Sequence, residues 1–158
     1  MEIVTIDCRH RSIRTSLIAL FSAQTAKMPP LPSPDMTITR HAQIDWDEHG
    51  NPRSRDFSDV YFSTESGLDE TRHVFLVQND LRRRFTELPD EARLIIGETG
   101  FGTGLNFLCA WQLFDECAPT NARLQFVSVE KYPLSHADLQ RALALWPELS
   151  PFAGQLLD

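Results

Sequence analysis

The chain has 158 residues, 42% of them hydrophobic and 23% charged, and a formal net charge of −7. That length suits one domain, or a piece of one, with a sizeable core. The acidic balance excludes a protein held to nucleic acid by bulk charge, and no apolar run approaches the roughly 20 residues of a membrane helix.

The first 35 residues differ in character from the rest. Residues 17–21 follow Arg9, Arg11 and Arg14 and faintly mimic a signal peptide, but their apolar core is shorter than the roughly 7–15 residues such a segment needs. The stretch Met28-Pro-Pro-Leu-Pro-Ser-Pro34 lacks most backbone donors and reads as a stiff, extended linker. Residues 1–35 are therefore expected to be a disordered or non-native extension, with the folded unit in residues 36–158, starting near Thr37.

Ile44 and Trp46 alternate with polar neighbours, as in a short strand, and residues 48–52 read as a turn. Val60, Tyr61 and Phe62 form a further short strand or a buried loop. From Gly67 the spacing of Leu68, Thr71, Phe75 and Leu76 predicts a helix, and Asp80 can cap a second one carrying Leu81 and Phe85. Arg82, Arg83 and Arg84 are the densest basic run, with Arg53 and Arg55 a weaker pair. The run reads as a solvated helix face before it reads as a phosphate contact.

Leu94-Ile95-Ile96 is wholly apolar, the pattern of a parallel strand buried on both faces. A glycine loop follows, then a helix from about Leu105 with Leu108, Trp111 and Phe114 along one face. Phe107 and Trp111 are expected in the core. Pro119 and Asn121 break this helix, and residues 126–129 form a second strand that ends at Glu130. Together these make one βαβ unit with an expected right-handed crossover. Ser135 and Asp138 resemble a capping box for a helix through Leu145, which Pro147 and Pro151 should end.

The cysteines, Cys8, Cys109 and Cys117, show no CxxC spacing. Cys109 and Cys117 fall on one predicted helix about 12 Å apart at ~1.5 Å per residue, too far for a disulfide. Free thiols in a cytoplasmic protein are the simple reading. No metal-ligand spacing is present.

The chemistry lies in Glu98-Thr-Gly100-Phe-Gly102-Thr-Gly104. Alternating glycines allow positive φ and let a ligand approach the backbone at the carboxyl end of the strand. A P-loop would end in Gly-Lys-Ser/Thr, which is absent. A dinucleotide site prefers Gly-x-Gly-x-x-Gly, and here the third glycine comes one residue early. The Glu98 carboxylate would also repel a pyrophosphate, but it suits a ligand carrying a sulfonium and an ammonium, S-adenosylmethionine. Glu130, ending the second strand, can accept from ribose hydroxyls, a feature that nicotinamide dinucleotide sites share.

Five segments in succession carry a resemblance. They are Asp56-Phe-Ser-Asp59-Val-Tyr61-Phe62-Ser63, Gly67-Leu-Asp-Glu70-Thr71-Arg72-x-Val-Phe75-Leu76, the loop continued through Leu-Asn106-Phe107-Leu108, Glu130-Lys131-x-Pro133-Leu134, and Trp146-Pro-Glu-Leu149. From about Ile38 onward the chain resembles the methyltransferase domain of the bacterial bifunctional tRNA 5-methylaminomethyl-2-thiouridine biosynthesis protein. The resemblance implies an α/β chain, a partial Rossmann-like S-adenosylmethionine-dependent methyltransferase fold with amino-terminal additions. It implies methylation of the aminomethyl group of a wobble 5-aminomethyl-2-thiouridine in tRNA, in the cytoplasm. FAD belongs to the family's other domain, to which nothing here corresponds. The family's domain continues into strands carrying an Asp-x-Phe-x-Pro segment that this sequence lacks, so the chain is expected to be the amino-terminal portion of the domain.

The candidate cofactor-binding residues are Glu98, Gly100, Phe101, Gly102, Gly104, Asn106, Glu130 and Lys131. Asn106 could also simply support the loop. Asp59 and Tyr61 are candidates for the acceptor side; the plainer reading is that Asp59 caps a turn and Tyr61 fills the core. No catalytic base is named, because a neutral amine needs none to attack a methyl group. A dinucleotide-binding oxidoreductase fragment and an inactive remnant are the competing readings.

Overall fold

The computed structural model describes residues 2–8, 12–15, 40–63 and 65–158. The Pro-rich linker, the signal-like stretch and the expected domain start near Thr37 lie outside these residues. Strands β1 (Glu2–Asp7) and β2 (Ser12–Thr15) come first, and β3 (Ile44–Trp46), β4 (Pro52–Ser54) and β5 (Asp59–Val60) follow as a small antiparallel sheet in the order β3-β4-β5. Helix α1 (Gly67–Thr71) continues into a wider π-helical turn (Arg72–Val77), and α2 (Leu81–Thr86) follows. Then come β6 (Arg93–Thr99), α3 (Leu105–Cys117), β7 (Arg123–Glu130) and α4 (His136–Leu143). A 3-10 turn (Pro147–Leu149) leads into α5 (Ser150–Leu157). None of these helices is long and apolar enough to cross a membrane.

The main sheet runs β2-β1-β7-β6. Strands β6 and β7 pair in parallel, with Arg93 opposite Arg123 and Glu98 opposite Ser128, and α3 joins them as the expected βαβ unit. Strand β1 lies antiparallel on the far side of β7, Glu2 opposite Glu130 and Asp7 opposite Gln125. This corrects the expectation of a disordered extension for residues 2–8. The outer edge of β7 carries backbone donors and acceptors that need partners. The alternation of β1 also turns Ile6 into the core, where it and Cys8 are buried.

The core lies between this sheet and α3. Phe85, Phe107, Phe114 and Phe126 are fully buried, each contributing about 1.5–3 kcal/mol by leaving water. Edge-on ring contacts join Phe85 to Phe114 and Phe107 to Phe126, both at 5.2 Å between centroids. Phe107 and Trp111 are core residues, as their spacing implies.

Three further expectations need correction. Strand β6 is not buried on both faces: Ile95 is 60% exposed, because the helices cover only the face carrying Leu94 and Ile96. The helix begun at Ser135 stops at Leu143, and Pro147 and Pro151 open the next helical segments instead of ending this one. Proline fits a first helical turn, where its missing N–H has no intrahelical acceptor anyway. Asp80 precedes α2 in the left-handed region (φ 53°) and caps no backbone amide; its carboxylate pairs with Arg83. Ser135 does cap α4, its hydroxyl accepting from the Asp138 N–H at 3.1 Å.

Candidate functional site

A cavity of about 390 Å³ opens at the carboxyl ends of β6 and β7. Of the sequence candidates, Asp59, Tyr61, Gly100, Phe101, Gly102, Asn106 and Glu130 line it. The β4–β5 hairpin forms one wall and the glycine loop the other.

The loop's conformation explains its glycines. Gly100, Gly102 and Gly104 all have positive φ, at 88°, 54° and 73°. A methyl on Gly104 would also sit 2.8 Å from Phe101 Cζ and 3.4 Å from Leu156. At Gly100, by contrast, a Cβ would meet nothing within 4 Å, so the backbone there faces open space. Substituting Gly104→Ala therefore combines a left-handed penalty of roughly 1–2 kcal/mol with displacement of the Phe101 ring. Urea denaturation should show a loss of about 2–4 kcal/mol. A loss under about 0.5 kcal/mol would mean that the loop relaxes freely.

Glu130 holds the loop from the second strand. Its Oε2 accepts the Gly102 N–H at 3.0 Å and its Oε1 accepts the Tyr132 N–H at 2.8 Å. Each oxygen keeps further acceptor capacity for a ligand hydroxyl. The Gly100 N–H donates to the Val129 carbonyl at 2.8 Å, extending the β6–β7 ladder into the loop.

Glu98 lies beneath the loop and, like Gly104, is not among the residues that line the cavity. Asn106 Nδ2 donates to its Oε2 at 3.3 Å, so Asn106 supports the loop as well as lining the cavity. The other oxygen, Oε1, is buried. Ser128, the register partner of Glu98, lies close enough to ease its charge, yet Oε1 and the Ser128 hydroxyl complete no hydrogen bond of good geometry. Burial pushes the Glu98 carboxyl above the ordinary glutamate range, the Asn106 and Ser128 contacts offset part of that rise, and the Glu130 charge adds to it. A buried carboxylate with an unused oxygen favours a cationic partner.

On the opposite wall the Tyr61 ring approaches the Gly102 backbone, 3.4 Å from where a Cβ would stand. Burial, and then the charge of Glu130, raise the Tyr61 phenol above its usual range. Asp59 lines the cavity, and its Oδ1 accepts the Val60 N–H at 2.9 Å, a local contact of the turn-supporting kind. Lys131 is not brought to the cavity wall; its ammonium stands 4.9 Å over the Tyr132 ring.

Phe57, Thr71 and Thr103 line the cavity without having been candidates. Only Phe57 leaves a signal in the sequence, as a lone apolar residue in the polar run from Arg53 to Asp59. The basic run near Arg82 lies elsewhere and is engaged: Arg82 pairs with Glu116 at 3.3 Å, and Arg83 with Asp80 and Glu87. That is the solvated helix face.

Over 123 residues the chain is 96% identical to the tRNA 5-methylaminomethyl-2-thiouridine biosynthesis bifunctional protein MnmC of Pseudomonas syringae pv. syringae, a match covering 78% of this chain and 18% of that protein. The protein of the same name from Pseudomonas fluorescens is 74% identical over 118 residues, covering 75% of this chain and 18% of the relative. That of Ectopseudomonas mendocina is 66% identical over 122 residues, covering 77% and 19%. The chain thus spans less than a fifth of the length of these curated relatives. No family model matches the sequence.

Proposed function

We propose that this chain carries the S-adenosylmethionine-binding part of a cytoplasmic tRNA methyltransferase, whose acceptor is the aminomethyl group of a wobble 5-aminomethyl-2-thiouridine. The observation that carries the reading is the buried, unused oxygen of Glu98 at the foot of a loop whose Gly100 and Gly102 line a cavity. A dinucleotide's pyrophosphate would meet that carboxylate with like charge, whereas an ammonium or a sulfonium relieves its desolvation. The near-identity to proteins named for tRNA thiouridine biosynthesis supports the acceptor class.

The cavity suits such a ligand in size and in donor set. Glu98 would meet the cationic methionine end, Glu130 would accept from the ribose hydroxyls, and the positive-φ glycines would leave room for close backbone contact. Bound there, S-adenosylmethionine supplies an electrophilic methyl group for in-line displacement by a neutral amine. Asp59 and Tyr61, on the facing wall, would orient that amine, and most of the acceleration comes from positioning and exclusion of water. No side chain is needed as a base in the displacement itself.

Calorimetric titration with S-adenosylmethionine, S-adenosylhomocysteine and NAD tests this reading. The first two should bind and NAD should not; NAD binding alone would replace the reading with an oxidoreductase. Glu98 adds a pH signature. Its folded-state value is raised, so its contribution to folding is full below the unfolded carboxyl range and is lost as pH rises through the raised value. Cationic-ligand affinity should move the opposite way, rising as Glu98 ionises. In Glu98→Gln the ligand-free chain should lose that pH-dependence, and S-adenosylmethionine should bind about tenfold or more weakly. An affinity equal to that of the unsubstituted chain would remove Glu98 from the site.

A further inference from the structure

The rim of the cavity carries an aromatic pair that the cofactor reading leaves unused. Phe57 sits at the tip of the β4–β5 hairpin and is 67% exposed, the one exposed phenylalanine among the described residues. An exposed single apolar residue is ordinary, but this one is held in place. The Phe57 N–H donates to the Ser54 hydroxyl at 3.3 Å, and the Arg53 guanidinium donates to the Ser58 carbonyl at 2.9 Å. Ser58 itself is forced to a φ of 54°, a left-handed conformation that costs a non-glycine residue free energy. The strained turn thus fixes a solvent-facing ring at the cavity's lip, where Phe57 also lines the opening.

Behind Phe57 stands Tyr132, with ring centroids 6.0 Å apart and planes at 46°. Two cations flank that ring, Arg40 at 5.7 Å and Lys131 at 4.9 Å from its centroid. Arg40 is paired with Asp56 at 2.8 Å. Neither Lys131 nor Arg53 makes an ion pair among the described residues. Two rings interleaved with cations are the pattern of a platform for unpaired bases and their phosphates.

We propose that Phe57, backed by Tyr132 and flanked by Arg40, Arg53 and Lys131, is a stacking platform for a base of a single-stranded RNA loop, next to the nucleotide that enters the cavity. The proposal rests on the tRNA reading above and adds where the RNA is gripped. A target base must leave its loop stack to reach the cavity, and a ring at the lip offers its neighbour a replacement surface. The platform reads the π-face of a base, so it demands unpaired nucleotides and tolerates different bases.

The test is fluorescence anisotropy of the chain with a labelled RNA hairpin bearing a seven-nucleotide loop, beside a fully paired duplex of the same length. S-adenosylhomocysteine affinity is measured separately on the same preparations. The hairpin should bind more tightly than the duplex. Phe57→Ala should weaken hairpin binding about tenfold and Phe57→Trp should restore it to within about threefold, a larger change than any in S-adenosylhomocysteine affinity. Absence of hairpin binding, equal binding of the duplex, or an unaltered Phe57→Ala each overturns the platform. So does a Phe57→Ala that loses S-adenosylhomocysteine and keeps RNA, which would assign Phe57 to the cofactor wall. A chain that binds S-adenosylhomocysteine but no RNA refutes the platform alone. One that binds RNA through Phe57 but no S-adenosylhomocysteine refutes the methyl-donor reading alone.

Discussion

Phe107→Ala should destabilise the chain by about 3–5 kcal/mol, a large part of what a domain of this size has to lose. Phe107 is fully buried at the centre of the aromatic cluster, 5.2 Å from Phe126, 5.4 Å from Trp111 and 6.3 Å from Phe101 between ring centroids. Removing its ring deletes the Phe107–Phe126 contact between α3 and β7 and leaves a cavity in the core. It also withdraws a neighbour of Phe101, the ring that packs on Gly104. Methyl-donor affinity should therefore fall along with stability. Urea denaturation of Phe107→Ala beside Phe57→Ala checks this, since the exposed ring should cost little. Similar small losses in both would show that the cluster is not the core.

Glu130→Ala should lower S-adenosylhomocysteine affinity by about a hundredfold, while Glu130→Gln should lose about tenfold. The carboxylate holds two backbone amides, one from the glycine loop and one from the segment after β7. Alanine frees both and removes the proposed ribose acceptor. Glutamine keeps one carbonyl oxygen and turns the other position into a donor facing an N–H. Calorimetric titration separates these outcomes, and an unchanged affinity in Glu130→Ala would exclude the residue both as clamp and as ribose contact.

The βαβ unit was legible because its signals are local. An apolar run, glycines at alternate positions and a 3.6-residue apolar stripe from Leu108 to Trp111 each depend on neighbours a few residues away. Glu98 and Glu130 were legible for the same reason, as acids at strand ends. What escaped is what distant segments do to each other. Nothing near Ile95 says that helices cover only one face of its sheet, and nothing near Ile6 says that it will line up beside Phe126. The clamp between Glu130 and Gly102 spans 28 residues, and Tyr61 reaches Gly102 from just past β5, the end of a separate sheet. Pro147 and Pro151 were misplaced because proline both stops a helix and starts one, and only the path of the chain decides between them.

Strand β6 has one further consequence, for the chain as a colloid. Among the described residues its outer edge has no partner strand, no proline blunts it, and Ile95 stands in the open beside it. Two such edges brought together can continue the ladder from one molecule to the next. The net charge of −7 opposes that approach, a repulsion that fades near the isoelectric point of about 5.2 and is screened within about 10 Å in ordinary salt. The same acidity that ruled out bulk attraction to nucleic acid thus also opposes this edge-to-edge approach.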